Sequence, residues 1–286
     1  MKILIIGGTG AFGAFYAKLL QNNGFEIGIN SRSEEKGKGF CRENGYTFES
    51  SAKGYDIVII SVPNETAMES VKSVSNDLDK GALLIDFCSV KSHIVPELEK
   101  LSEKREDLEI ASIHPMHGPR VKSLEEIPIV LIPIKVGEKF ELIKKFFEKQ
   151  SKRVFFSTME EHDTTLSIVQ GLTHYTQFVA SSVLSEMNID LEKTLKFSSP
   201  NYSLFISLAS RVMLQNPELY SQIQLENPHN EKVRELFSKK AQEMQELCKK
   251  GEKALEENIH KTKEIFKNPE KLLSKSDRMT EAKDNA

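Results

Sequence analysis

The chain opens on the stretch that decides its fold, Lys2-Ile3-Leu4-Ile5-Ile6-Gly7-Gly8-Thr9-Gly10-Ala11-Phe12-Gly13. Its first five residues are an apolar β-strand candidate, and a helix-like stretch, Ala11–Asn22, follows the glycines. We assign Gly8 to the tight turn, Gly10 to the close approach of a phosphate, and Gly13 to the packing of helix on strand. Because free N–H groups and the helix dipole favour anions at a helix N-terminus, the segment predicts a pyrophosphate site.

The alternation of strand and helix continues through the first half of the chain. The further strand candidates are Glu26–Asn30, Ile57–Val62, Ala82–Asp86, Glu109–Ile113, Ile129–Pro133 and Arg153–Phe156. Helix-like stretches such as Glu138–Gln150 lie between several of them. This alternation predicts βαβ units and a mainly parallel sheet covered on both faces. With the glycine segment after the first strand, it predicts a Rossmann-type, doubly wound dinucleotide-binding domain, which we place at residues 1–158.

After residue 158 the strand signals stop and the chain has helical patterning. The helical pattern is interrupted at Ser199-Pro200, Asn216-Pro217 and Asn227-Pro228. Residues 231–263 form a charged amphipathic helix or a pair of helices, packed on neighbours with a solvated face or used at a subunit interface. We expect an all-α domain at residues 159–266 and a polar, frayed tail at residues 267–286.

Composition argues against several classes of protein. The 286 residues carry a net charge of −3, which gives no electrostatic reason to expect nucleic acid or an anionic membrane as a partner. Apolar runs such as Ile127–Ile134 are too short to cross a bilayer, and the N-terminus lacks the regions of a signal peptide. Three scattered cysteines fit neither a metal site nor a disulfide framework. We therefore expect a soluble, cytoplasmic protein without a bound metal.

The end of the second strand bears on the choice of dinucleotide. NAD enzymes carry an acidic residue about 20 positions beyond the glycines, where it bonds the ribose 2′-hydroxyl. This chain has Asn30-Ser31-Arg32 instead, and Ser31 and Arg32 suit a 2′-phosphate, although Arg32 could equally be an exposed loop charge. We expect NADP, with NAD possible. The other expected cofactor contacts are Gly8, Thr9, Gly10, Ala11, Phe12, Gly13, Ser61, Val62 and Pro63.

Further segments carry residues suited to catalysis. Asp86-Phe87-Cys88-Ser89-Val90-Lys91 and His114-Pro115-Met116-His117-Gly118-Pro119 each come at the end of a strand candidate. Strand carboxyl ends converge on the ligand crevice of an open α/β sheet, so Ser89 and His114 are expected beside a nicotinamide. The helical half contributes Glu161-His162-Asp163, Gln170-Gly171-Leu172-Thr173-His174, Ser198-Ser199-Pro200 and Arg211.

Taken in this order over residues 2–223, the segments closely resemble the prephenate and arogenate dehydrogenases. The resemblance implies a Rossmann-type domain followed by a helical domain that supports a homodimer, and a cyclohexadienol substrate, prephenate or arogenate. It implies that His114 engages the substrate hydroxyl and that Ser89 links this histidine, the hydroxyl and the nicotinamide. It also makes His174 a substrate-pocket residue and Arg211 the clamp on a substrate carboxylate. These residue types suit proton transfer and bidentate carboxylate binding.

One residue departs from the family pattern. Arg120 stands where several relatives carry an acidic side chain, and a cation there favours dianionic prephenate over arogenate, whose side chain carries an ammonium group. We therefore expect oxidative decarboxylation of prephenate to 4-hydroxyphenylpyruvate, with arogenate as the alternative. We expect Arg120 to contact the substrate. The chain shows no pattern of a chorismate mutase region or of an ACT-type regulatory domain.

Two other classes of function remain to be weighed. Another NADP oxidoreductase, of the β-hydroxyacid or deazaflavin-dependent type, or a dinucleotide sensor without turnover, would also use the glycine segment. Neither explains His114, His174 and Arg211 together. We further expect His162 and Asp163 to cap or orient the first helix of the second domain. The histidines expected at the surface are His93, His229 and His260, and His117 receives no role.

Overall fold

The structure, a computed structural model, describes residues 1–283. The chain forms two compact units. The first contains Met1–Thr165 and Glu226–Pro228, and the second contains Leu166–Leu225 and the chain from His229 onward. The first unit is therefore discontinuous in sequence, because a three-residue segment returns to it from the helical half.

The first unit is built on one eight-stranded sheet in the described part of the chain. The strands are β1 (Lys2–Ile6), β2 (Glu26–Asn30), β3 (Thr47–Phe48), β4 (Ile57–Ile60), β5 (Leu83–Asp86), β6 (Glu109–Pro115), β7 (Ile129–Lys135) and β8 (Val154–Phe156). Their order is β3-β2-β1-β4-β5-β6-β7-β8, and every pair is parallel except β6 with β7. The predicted, mainly parallel sheet is confirmed.

Helices cover both faces of this sheet. They are α1 (Ala11–Gln21), α2 (Glu34–Asn44), α3 (Asn64–Ser75), α4 (Val95–Lys104), α5 (Glu138–Gln150) and α6 (Met159–Leu166). Side chains of β1 alternate between the faces: Ile3 and Ile5 pack with α1 and α5, whereas Leu4 and Ile6 pack with α3 and α4. Two apolar cores result, and the carboxyl ends of the central strands remain for ligands.

The second unit is helical. A π-helical segment (Ser167–Leu172) leads into α7 (Thr173–Glu186), α8 (Leu191–Lys196), α9 (Pro200–Met213), α10 (Pro217–Glu226), α11 (Asn230–Lys250), α12 (Glu252–Thr262) and α13 (Pro269–Lys283). The prolines act as predicted, since Pro200 and Pro217 begin helices and Pro228 separates α10 from α11. Gly251, at φ 97°, divides the charged region into the pair α11 and α12.

Several elements differ from the sequence-based expectation. Strand β3 has two residues, too few to produce a periodic pattern. Strand β6 runs two residues further than predicted, because antiparallel pairing with β7 continues through His114 and Pro115. In the expected frayed tail, residues 269–283 form α13, and residues 284–286 lie outside the described residues. Within residues 1–283, no helix is both long and apolar enough to span a membrane.

Candidate active site

The glycine turn connects β1 to α1 and is fastened to the end of β2. The N–H groups of Gly7 and Gly8 both donate to the carbonyl oxygen of Asn30, at 2.9 and 3.2 Å. The left-handed residue is Gly7, at φ 82°, whereas a Cβ atom on Gly8 would lie 2.5 Å from Ile29 Cδ1. The tight turn assigned to Gly8 is therefore wrong in detail: Gly7 makes the turn, and Gly8 allows close packing.

The N-terminus of α1 suits an anion. Gly10 is the N-cap, and within the described chain no side chain caps the helix and no acidic residue lies in its first turn. Gly10 and Ala11 are exposed, so the first N–H groups are accessible to a ligand. A Cβ atom on Gly13 would lie 2.6 Å from the Gly7 carbonyl oxygen, so only glycine allows this approach. These residues fit the pyrophosphate of a dinucleotide.

The other expected cofactor residues surround this turn. A Cβ atom on Gly7 would collide with the Ser61 carbonyl oxygen and with Val62, so the segment after β4 lies against the glycine turn. The Asn30 amide is already bound, since its Nδ2 donates to the Glu49 carbonyl oxygen at 2.8 Å. Arg32 is exposed and has no hydrogen bond or ion pair with any residue of the described chain. Its guanidinium is therefore available to a ligand.

The loop after β5 is fixed by a fully buried ion pair. Lys91 Nζ lies 3.0 Å from Asp86 Oδ1 and also donates to the Ile113 carbonyl oxygen of β6 at 3.1 Å. The same Asp86 oxygen accepts from the Cys88 N–H at 2.8 Å. This buried pair therefore ties the turn that carries half-buried Ser89 to β6, the strand that carries His114. Breaking it would leave an uncompensated buried charge.

Ser89 is also held from the other side. Its backbone N–H donates to Asn64 Oδ1 at 3.3 Å, and Asn64 Nδ2 donates to Glu226 Oε2 at 2.8 Å. The next residue of the returning segment, Asn227, donates through Nδ2 to the Asp163 carbonyl oxygen at 2.8 Å. Sequence reasoning assigned no role to Asn64, Glu226 or Asn227, because these contacts join residues far apart in the chain.

His114 stands at the carboxyl end of β6 and is 4% exposed. Its Nδ1 atom lies 2.8 Å from His162 Nε2, and His162 Nδ1 lies 2.7 Å from Asp163 Oδ1. Asp163 also accepts from the N–H groups of Lys91 at 3.0 Å and Ser92 at 2.7 Å. Of the two predicted roles of His162 and Asp163, capping does not hold, because both lie inside α6, whereas the bonds from Lys91 and Ser92 to Asp163 are consistent with orienting this helix.

Burial controls the ionisation of this row of groups. It lowers the pKa of His114 well below its ordinary value, and the nearby His162 and Lys91 add to the effect. Burial also lowers the pKa of His162, although the hydrogen bond to Asp163 opposes it. For Asp163, burial favours the neutral acid, but hydrogen bonds from His162, Ser92 and Lys91 outweigh burial and lower its pKa. At neutral pH the row consists of one carboxylate and two neutral imidazoles.

The second histidine of the same segment, His117, is bound differently. Its Nδ1 lies 2.8 Å from the Gly118 carbonyl oxygen and its Nε2 lies 2.8 Å from the hydroxyl of buried Tyr16 on α1. Its ring also contacts Phe12 and Phe15, and burial lowers its pKa. His117 therefore connects the segment of His114 to the helix that follows the glycine turn.

The remaining charged and histidine positions are more peripheral. Arg120 is exposed, and the described residues offer it no hydrogen bond or ion pair. His260 is exposed as predicted. His93 and His229 are half-buried instead, because each lies where a loop meets a helix rather than on a free helix face.

In the helical unit, Tyr220 brings His174 and Arg211 together. The His174 ring packs edge-to-face on Tyr220, with centroids 4.8 Å apart, and the Tyr220 hydroxyl donates to the Arg211 carbonyl oxygen at 3.5 Å. Burial lowers the pKa of His174 to about 4, so this imidazole is neutral at physiological pH. The π-helical turn before it packs Gly171 against Asn230, where a Cβ atom would clash. π-helical turns recur at functional sites.

Two sequence profiles of one family match this chain. The profile described as "Prephenate dehydrogenase, nucleotide-binding domain" matches residues 16–156. The profile described as "Prephenate dehydrogenase, dimerization domain" matches residues 158–268. Together they account for most of the sheet unit and for the helices up to residue 268.

Curated relatives agree with the profiles. The "Probable arogenate/prephenate dehydrogenase" of Methanocaldococcus jannaschii is 36% identical over 228 residues, which covers 77% of this chain and 51% of the relative. The "T-protein" of Haemophilus influenzae is 29% identical over 220 residues, which covers 77% of this chain and 55% of the relative. The chain thus spans about half the length of the curated relatives it matches.

Solved structures show the same architecture. Prephenate dehydrogenase from Aquifex aeolicus, in complex with hydroxyphenyl propionate and NAD+, superposes with a TM-score of 0.75 at 27% identity, covering 95% of this chain and 98% of that one. Synechocystis arogenate dehydrogenase superposes with a TM-score of 0.69 at 18% identity, covering 93% and 98%. At that lower identity the likeness shows the fold alone.

Proposed function

This chain belongs to the prephenate dehydrogenase family, and on that premise we propose that it converts prephenate to 4-hydroxyphenylpyruvate with NADP. The observation that carries the proposal is the buried, neutral His114 at the carboxyl end of β6, one strand from the loop of Ser89. A base with a lowered pKa is ready to accept a proton without first losing one. Arogenate, which would give tyrosine directly, is the alternative substrate.

The chemistry needs a base, a hydride acceptor and a place for a leaving carboxylate. A bound nicotinamide dinucleotide supplies the hydride acceptor. His114 takes the proton of the substrate hydroxyl as the carbon that bears it is oxidised. The ring carboxylate then leaves as carbon dioxide, and its electron pair makes the ring aromatic. The proton held by His114 returns to the phenol oxygen, so that protons balance over the reaction.

The substrate contacts are proposed from the family resemblance. Ser89 would donate or accept a hydrogen bond at the reacting hydroxyl, and Arg211 would bind a substrate carboxylate bidentately. His174 would offer a hydrogen bond rather than a charge, because burial keeps its imidazole neutral. The exposed guanidinium of Arg120 supports a dianionic substrate, which favours prephenate over arogenate.

We also propose NADP over NAD. Arg32 is exposed beyond β2 without an ionic partner in the described chain, and Ser31 stands next to it. The Aquifex relative was solved with NAD+, so the two cofactors require direct comparison. The glycine turn suits the pyrophosphate of either one.

We further propose a homodimer formed by the helical unit. The match to a dimerization domain supports it, and so do the exposed apolar side chains of that unit. We also keep, as a proposal, the predicted division into a dinucleotide-binding domain (residues 1–158), a helical domain (159–266) and a polar tail (267–286).

The test is an assay of purified protein with prephenate or arogenate and NADP or NAD, in all four pairings, read by the absorbance of the reduced nicotinamide. We expect the fastest turnover with prephenate and NADP. Faster turnover with arogenate would overturn the substrate choice. Binding of dinucleotide without turnover in any pairing would overturn the dehydrogenase assignment and favour a sensor.

A further inference from the structure

We propose that Asp163 and His162 fix the tautomer of His114, so that its Nε2 atom carries the lone pair that accepts a proton. The three side chains lie in one row, with 2.7 Å between Asp163 Oδ1 and His162 Nδ1 and 2.8 Å between His162 Nε2 and His114 Nδ1. The claim that Nε2 accepts the proton of a substrate hydroxyl rests on the proposed function. The tautomer itself does not, because it is a property of the free protein.

The first step of the argument concerns Asp163. Its two oxygens accept from the backbone N–H groups of Lys91 and Ser92, and backbone N–H groups can only donate. Together with His162 they keep the pKa of this carboxyl low despite burial, so the group is a carboxylate. A carboxylate is an acceptor at every position, so His162 Nδ1 must carry the hydrogen.

The second step carries this polarity across His162. A neutral imidazole has one N–H and one lone pair. If Nδ1 of His162 donates to Asp163, its Nε2 must accept, and the hydrogen between the two rings then belongs to His114 Nδ1. His114 is neutral as well, so its lone pair is on Nε2. The row therefore points the basic atom of His114 away from α6.

His117, three residues later in the same segment, is a natural internal contrast. Its Nδ1 donates to the Gly118 carbonyl oxygen, so its Nε2 accepts from the Tyr16 hydroxyl. That lone pair is already used inside the protein. The two histidines have the same tautomer, but only the arrangement around His114 leaves Nε2 without a hydrogen bond to any described residue.

The charged and titratable groups near His114 and His162 also affect the pKa of these two imidazoles. Lys91 lowers the pKa of both His114 and His162, whereas Asp86, its buried partner, raises that of His162. His117 slightly lowers the pKa of His114. Because His114 and His162 titrate as a coupled pair, the tautomer describes the state above the acid limb of that pair.

The test exchanges one atom of Asp163. In the Asp163→Asn variant the negative charge is lost. An amide N–H turned to His162 Nδ1 reverses both hydrogen bonds but faces the Lys91 N–H, whereas an amide oxygen in that place keeps the wild-type direction and leaves the Ser92 N–H without an acceptor, so neither direction is fixed. Long-range proton–nitrogen NMR of protein labelled with nitrogen-15 histidine reports which ring nitrogen is protonated, and His114→Asn assigns the signals. We expect Nδ1–H for His114 in the wild type and a mixture of Nδ1–H and Nε2–H in Asp163→Asn. Nε2–H for His114 in the wild type would overturn the proposal.

A second pair of variants covers the case in which Asp163→Asn does not fold. His162→Gln keeps an amide oxygen that can accept from His114 Nδ1, whereas His162→Leu removes the acceptor. We expect His162→Gln to retain the Nδ1–H tautomer and His162→Leu to give a mixture of tautomers. The same tautomer of His114 in both variants would contradict the proposal that His162 fixes this tautomer by accepting from His114 Nδ1.

Kinetics provide a separate readout. Asp163→Asn should lower kcat by about tenfold, less than the hundredfold or more expected when the general base itself is removed, with little change in KM. Because the carboxylate raises the pKa of His162, its loss should also move the acid limb of the pH–rate profile to lower pH. Asp107→Asn, which changes a carboxylate paired with Arg105 at the surface, is the matched control and should leave both quantities unchanged.

A slower enzyme with an unmoved acid limb and an unchanged tautomer would assign Asp163 a structural role. If no substrate is turned over by the wild type, the proposed function fails, and the NMR result still decides the tautomer.

Discussion

The two units of this protein treat their apolar side chains in opposite ways. In the sheet unit, most large apolar residues are buried or half-buried, and the exposed ones are Met1, Val136, Phe155 and Phe156. In the helical unit, few are buried, while Phe197 is 84% exposed and Leu214 81%. The sheet unit completes its own cores from one chain. The helical unit carries more apolar surface than a single chain covers, which is the signature of a surface for a partner.

The buried polar groups do not repeat this difference between the units. Buried side-chain atoms without a partner among the described residues occur in both units. In the sheet unit they are Ser61 Oγ, Asp86 Oδ2, Ser92 Oγ, His93 Nε2 and Ser112 Oγ, and in the helical unit they include His174 Nδ1, Gln177 Oε1 and the whole Gln222 amide. Buried polar atoms are normally satisfied, so unsatisfied ones indicate a missing partner. The difference between the units therefore lies in their apolar surface, and both units hold polar atoms that a ligand or a partner can bind.

The largest expected effect is on kcat, and it tests whether a residue of the sheet unit, His114, takes the proton. His114→Asn should lower kcat by about a hundredfold or more, because the base is lost. Dinucleotide affinity, measured by fluorescence titration, should stay the same, since the hydrogen bond of His114 among the described residues goes to His162 and not to the glycine turn. Retention of kcat would show that another group takes the proton.

The next effect concerns the surface of the helical unit. Phe197→Glu and Leu214→Glu should each weaken a dimer by about a hundredfold, because burial of such a side chain stabilises by about 1.5 kcal/mol and a symmetric dimer buries two copies. Analytical ultracentrifugation across protein concentrations measures the change. Phe156→Glu, an exposed apolar residue of the sheet unit, is the control. An equal loss in the control would break the contrast between the units.

A smaller effect tests the glycine turn. Gly13→Ala places a methyl group 2.6 Å from a backbone oxygen, so the turn must shift, and dinucleotide affinity should fall by about tenfold. Gly39→Ala in α2 is the matched control, because its added Cβ meets nothing within 4 Å. The dimer should persist in both variants. Unchanged affinity in Gly13→Ala would mean that the turn is not where the phosphates bind.

The smallest effect concerns cofactor choice. Arg32→Ala should reduce the preference for NADP over NAD by about fivefold, since an exposed ion pair contributes at most about 1 kcal/mol. The ratio of kcat/KM for the two cofactors is the measurement, with Arg42→Ala at the far end of α2 as the control. An unchanged ratio would remove Arg32 from the cofactor site.

The sequence predicts what depends on neighbours in the chain. Strand β1, the glycine turn and α5 follow from local periodicity, and α5 has the predicted bounds. What local patterns cannot give is contact over distance. His162 reaches His114 across 48 positions, and Asn64 reaches Glu226 across 162. Adjacent His162 and Asp163 could suggest a hydrogen-bonded pair, but nothing in their spacing points to β6.

The returning segment Glu226–Pro228 limits how the protein can be divided or recombined. A single cut after Thr165 would leave the sheet unit without the Glu226 carboxylate that holds Asn64 and the Asn227 amide that binds at Asp163. The sheet unit and the helical unit therefore cannot be exchanged between relatives by one cut in the sequence. A chimera that takes its helices from a relative also inherits that relative's version of these three residues. A recombination that keeps the catalytic loops in place therefore needs three crossover points, after residues 165, 225 and 228, rather than one.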